Sequence, residues 1–205
     1  ARHGSTNVVL KKDCEIMKGL ANKVYPDKLY WQNLRIEFSY DELIKMDNNN
    51  SAKALGISFF LWSKKRFKNL ENHAIVSVNS KIDVHHLIPD NYIKKQFGGD
   101  SEEYDYSDSI LNKVRINKIS NIKIGDKSPK TYLNEIKNNI PNPDIIDCLD
   151  THVIGDSFKL LSGDYDNDYI SFLKDRYQAL EPLLSELRNA SEKLNDGNDD
   201  DIWDD

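Results

Sequence analysis

Asp83-Val84-His85-His86-Leu87-Ile88-Pro89 joins a short β-branched run to two adjacent imidazoles and stops at a proline. Residues 82–88 therefore read as a strand, with another over 74–78 before it. Residues 98–108 are polar and acidic, carry two glycines and lack core periodicity, so they read as a surface loop. Residues 113–117 return as the second strand of a hairpin. Residues 118–124 make a short helical turn carrying Asn121, and Ser128-Pro129 opens a further helix with a cap and a first-turn proline. The local order is strand, strand, helix.

The residue types in this segment suit hydrolysis of a phosphodiester. One histidine can bind a divalent metal while its neighbour takes a proton from water. Two asparagines follow, Asn112 and, nine residues later, Asn121, and such an amide can add a neutral oxygen ligand. In a regular strand His85 and His86 point to opposite faces, so both reach one phosphate only if the strand ends or twists there. Pro89 allows this. The alternative keeps one histidine buried on a backbone group and the other exposed.

HHLIP at 85–89, DSILNKV at 108–114 and Asn121 together resemble the HNH, or His-Me finger, nucleases, including the HNH domain of the RNA-guided CRISPR nuclease. The longer order HHLIP, DSILNKV, SNIKIGDKSPKTYLNEI, THVI, YISFLKDRYQAL resembles, over roughly residues 50–190, the C-terminal nuclease region of GmrSD-type restriction and phage-defence proteins. The resemblance implies an α+β fold, mostly helical, with a ββα-metal core flanked by helices. It implies His86 as general base and His85 and Asn121 as metal ligands. Asn112, grouped with His86 at the catalytic centre, would tie the hairpin together and orient the base, or serve the fold alone. Asp83 would orient His85 or cap a turn. The implied cofactor is a divalent metal, Mg²⁺ first, with Mn²⁺ or Zn²⁺ as alternatives, and the implied partner is DNA. An arginine often follows the last asparagine in the family; here Ile122 does, with Lys123 next. His152 matches a histidine of the restriction proteins but reads as structural, and His73 lies outside the motif.

Relatives of this kind pair the nuclease with a nucleotide-using sensor. Nothing in these residues matches a Gly-rich loop ending in Lys-Ser/Thr, so the chain reads as an excised domain whose sensor is an N-terminal domain or a separate subunit. Ala1 to Ser5 (ARHGS) reads as a cloning scar. The expected organisation is a helical part over 6–70, the HNH core over 71–140, a helical part over 141–195 and a disordered acidic tail over 196–205. A catalytically inactive binding module with the same fold and a toxin nuclease are the rival functions; a homodimer is compatible with either.

The 205 residues are 39% hydrophobic and 30% charged, the balance of a water-soluble domain with a continuous core. No run of apolar residues approaches the ~20 of a membrane span, and no signal peptide is evident, so a cytoplasmic setting is expected. Two cysteines, Cys14 and Cys148, exclude a disulfide framework or a four-Cys zinc site. The net charge of −6 opposes phosphate binding, but the six aspartates of residues 196–205 account for all of it. The remainder holds two basic clusters, Lys64, Lys65, Arg66 and Lys68, and then Lys113, Arg115, Lys118, Lys123, Lys127 and Lys130. The second surrounds the asparagines and is the expected nucleic-acid contact.

Elsewhere, apolar spacing predicts a helix over 6–24 stopped by Pro26. Ser39 with Glu42 reads as a capping box for a helix to about Met46, and another helix is expected over 51–67. Pro141 and Pro143 interrupt the chain before a helical turn over 144–149 and a long helix over 167–194, kinked at Pro182.

Overall fold

Among the described residues two short strands lie among many helices, an α+β arrangement that is mostly helical. The computed structural model describes residues 38–47, 52–65, 67–70, 72, 74–76, 82–139 and 145–196, apart from the side chains of 52, 59, 82, 83, 139 and 190–196. The expected helix over 6–24, His73, Arg66, the two prolines at 141 and 143 and the tail beyond Asp196 lie outside these residues. In chain order the described elements are α1 (Tyr40–Ile44), α2 (Ala52–Lys65), β1 (Ile82–His86), α3 (Asp90–Phe97), α4 (Glu102–Asp105), β2 (Lys113–Asn117), α5 (Lys118–Ile124), α6 (Pro129–Asn139), α7 (Ile145–Asp150), α8 (Ser157–Ser162) and α9 (Tyr169–Asp196). Phe38–Ser185 form one compact unit.

β1 runs antiparallel to β2, with His86 opposite Lys113, His85 opposite Val114, Val84 opposite Arg115 and Asp83 opposite Ile116. Alternation explains β2: Val114 and Ile116 are buried, while Lys113, Arg115 and Asn117 between them are half-exposed. The helix expected at 118–124 follows at once. Asn117 caps it, its Oδ1 accepting from the Ser120 amide at 2.7 Å. Gly125 ends it in a positive-φ conformation, φ 54°, that suits a residue without Cβ. α5 packs against both strands.

The sheet rests on a core of Leu87, Ile88, Ile93, Leu111, Ile124, Tyr132 and Leu133, with Tyr169, Phe172 and Leu173 of α9, all fully buried. Each such aliphatic or aromatic side chain contributes about 1.5–3 kcal/mol. Polar groups in this core find partners: the Tyr132 hydroxyl donates to the Leu87 carbonyl at 2.9 Å and the Tyr169 hydroxyl to that of Tyr106 at 2.9 Å. Ser39 caps α1 as expected, its Oγ accepting from the Glu42 amide at 3.3 Å. α9 continues through Pro182. No helix among the described residues is long and apolar enough to cross a membrane.

Three expectations need correction. The segment expected as a strand over 74–78 contributes, among the described residues, an isolated Lys68–Ile75 bridge. β1 stops at His86, not at 88: the Leu87 amide still reaches the Asn112 carbonyl opposite it, but the Asn112 amide turns away to the Ser109 carbonyl and the Ile88 amide donates to the Asn112 side chain. The segment over 98–108 is not plain loop: α4 lies in it, capped by Ser101, whose Oγ accepts from the Tyr104 amide at 3.2 Å. α3, just before it, is eight residues long and buries Ile93.

Candidate active site

The site forms where β1 ends. Residues opposite one another in an antiparallel pair share a face, so His85 faces the side of buried Val114 and His86 the side of Lys113 and Arg115. Although on opposite faces, the two rings lie with centroids 6.3 Å apart, their planes at 70°, because they are the last two residues before the chain bends. The Nε2 atom of His85 is shielded from solvent. The His86 side chain is 26% exposed, open to a substrate.

Asn112 fixes that bend. It is fully buried, and its Nδ2 donates to the carbonyls of Ile88 at 2.8 Å and Ser107 at 2.9 Å, while its Oδ1 accepts from the Ile88 amide at 2.9 Å. Its own carbonyl accepts from the Leu87 amide at 2.7 Å. With its amide used on both sides and closed to solvent, the Asn112 side chain serves to hold the bend.

Sequence reasoning missed two residues here. Asp108 accepts from His86 Nε2 at 2.8 Å and from Lys113 Nζ, both through Oδ1. Partial burial raises its carboxyl, but the hydrogen bonds and charges of Lys113 and His86 outweigh this and hold it below the usual carboxylate range. Arg176 of α9 is buried and donates to the carbonyls of Leu111 at 2.7 Å and Lys113 at 2.8 Å, so it braces both sides of Asn112. Burial pushes its guanidinium down to about 10. A carboxylate within DSILNKV was a visible clue to Asp108; an arginine that binds backbone carbonyls leaves no pairing signal in sequence.

The other candidates divide. Asn121 is half-buried on α5, which packs against the strand bearing His85. Asp83 takes its place in β1 opposite Ile116. Lys113 is held by Asp108, its side chain only 6% exposed, whereas Lys127 is exposed and pairs with Glu135 at the surface. Lys118 and Lys123 are exposed on α5, and Arg115 is half-buried with its guanidinium lowered by that burial. Among the described residues no cluster of three or more His, Cys, Asp or Glu is present. A donor set of one imidazole and one amide oxygen leaves open positions and suits a hard divalent ion better than a closed zinc site.

His152 lies apart and is structural, as expected. It is buried, its Nε2 lies 2.8 Å from the Lys68 carbonyl, and its ring stacks on Phe67 at 5.1 Å. Burial pushes it down to about 4, so the fold favours the neutral ring. That contribution is complete above the ordinary histidine value of 6.5 and is lost as pH falls toward 4. Between pH 7 and 5 the protein should lose about 2 kcal/mol of stability through this ring. Urea melts of the wild type and His152→Gln at the two pH values check it: the variant should show the smaller drop, and equal drops would refute the assignment.

No protein-family model matches the chain, and no solved structure matches it. An uncharacterised protein of Methanocaldococcus jannaschii is 31% identical over 138 residues, which is 65% of this chain. The match spans 22% of that archaeal protein's length.

Proposed function

We propose that this chain is a metal-dependent endonuclease domain of the HNH type, built on a ββα-metal core, that cuts DNA as the effector of a restriction or anti-phage system. The observation that carries the reading is the conjunction at the end of β1. Two histidines close the strand, the buried Asn112 amide holds the bend behind them, and the helix that follows β2 bears a second asparagine after the nine-residue interval.

His86 is the general base. It is partly exposed, its ring is anchored at one nitrogen, and a neutral imidazole accepts a proton from water near neutral pH. His85 and Asn121 are the residues that would hold the metal. Mg²⁺ or Mn²⁺ bound there supplies positive charge to the scissile phosphate and the leaving 3′ oxygen. Lys118, Lys123 and Arg115 offer the charge that draws the backbone in. Base recognition is not part of this residue set, so cleavage by the domain should show little sequence preference, with selection made by a sensor domain or subunit.

Water attack with departure of the 3′ oxygen leaves 5′-phosphate and 3′-hydroxyl ends. Nicks made in supercoiled plasmid should therefore be resealed by DNA ligase with no end repair. Nicks that ligase cannot seal would overturn this chemistry.

A further inference from the structure

We propose that Asp108 is the positioning residue of His86, holding the ring by its Nε2–H so that Nδ1 is the atom that takes the proton from water. This rests on the nuclease reading above and assigns a role within it.

The geometry carries the assignment. Asp108 Oδ1 lies 2.8 Å from His86 Nε2, and an ionised carboxylate has no hydrogen to give, so the ring nitrogen is the donor. A neutral imidazole carries one N–H; with it on Nε2, the lone pair sits on Nδ1. The carboxylate is itself held, because Lys113 donates to the same oxygen from a side chain that is 6% exposed. Lys113 is in turn fixed by register, opposite His86 in the sheet, and its carbonyl is bound by Arg176. Carboxylate, base and lysine thus come from three separate parts of the chain: the segment after α4, the end of β1 and the start of β2. The ladder that sets His86 opposite Lys113 also sets the distance at which one carboxylate bridges them.

The experiment compares wild type, Asp108→Ala and Asp108→Asn, the last of which keeps an acceptor oxygen in the same place. In metal-free, ¹⁵N-histidine-labelled protein, the wild type should show a protected ring N–H signal that His86→Ala removes. Asp108→Ala should lose it and Asp108→Asn should retain it. In plasmid nicking, Asp108→Ala should lower kcat about 10- to 100-fold with KM changed less than about 2-fold, and Asp108→Asn should recover most of the loss. A ring signal that survives in Asp108→Ala, or a kcat that does not fall there, overturns the proposal. Nicking by His86→Ala at the wild-type rate would instead sink the nuclease reading, while the ring signal would still decide whether Asp108 holds His86.

Discussion

His86→Ala should lower kcat for metal-dependent plasmid nicking by about a hundred- to ten-thousand-fold, the range a positioned general base contributes. The fold should survive, because this side chain is partly exposed and its hydrogen bond is to the surface carboxylate of Asp108, a class of pair worth about 0–1 kcal/mol. Circular dichroism and an unchanged urea midpoint would separate a chemical defect from a structural one. KM should move little, since a base that meets water contributes to the transition state more than to substrate binding. A variant that is folded and nicks at the wild-type rate would remove His86 from the chemistry.

Asn112→Ala should behave in the opposite way, costing stability first. Three backbone groups lose their partner at once: the Ile88 amide and the carbonyls of Ile88 and Ser107. Each buried group left unpaired costs about 1–3 kcal/mol, so with partial relaxation the loss should be about 3–5 kcal/mol. Asn112→Asp should be similarly damaging, because an ionised carboxylate would face two carbonyl oxygens in a site closed to water. Urea denaturation reads both, and a loss below about 1 kcal/mol would mean that the amide does not hold the bend. Activity of Asn112→Ala should fall as well, measured at a temperature where it remains folded, because His86 is the residue the bend orients.

The hairpin and the helix after it were legible because their signals are local. Alternation in KVRIN marks β2, and Asn117 with Gly125 brackets α5. The candidate site residues His85, His86, Asn112 and Asn121 form one pattern along the chain, and the structure brings His85, His86 and Asn112 together at the end of β1. What the sequence hid depends on tertiary partners. α3 spans only eight residues and buries Ile93 alone, so little of its packing shows as a run of apolar residues. α8, also unforeseen, is a six-residue helix fixed by its Asp156 cap, whose Oδ1 accepts from the Lys159 amide at 3.0 Å. Lys113 looked like a phosphate contact because a basic residue beside a motif carries no mark of the carboxylate it will meet. Arg176 falls within the long helix read over 167–194, yet it is buried on backbone carbonyls that pattern and charge do not reveal. The end of β1 was misjudged by two residues because the competing acceptor, Asn112, lies 24 positions further on.

A phosphodiester-cleaving site at the end of β1, as proposed, should work only with a divalent metal. The most direct measurement is conversion of supercoiled plasmid by the wild-type protein with Mg²⁺ or Mn²⁺, beside the same reaction in EDTA and with His86→Ala. Relaxation should require the metal and His86 together, as a cleaving site at the end of β1 demands. Relaxation that persists in EDTA or in the variant, or none with either metal at any protein concentration that binds the plasmid, would contradict it.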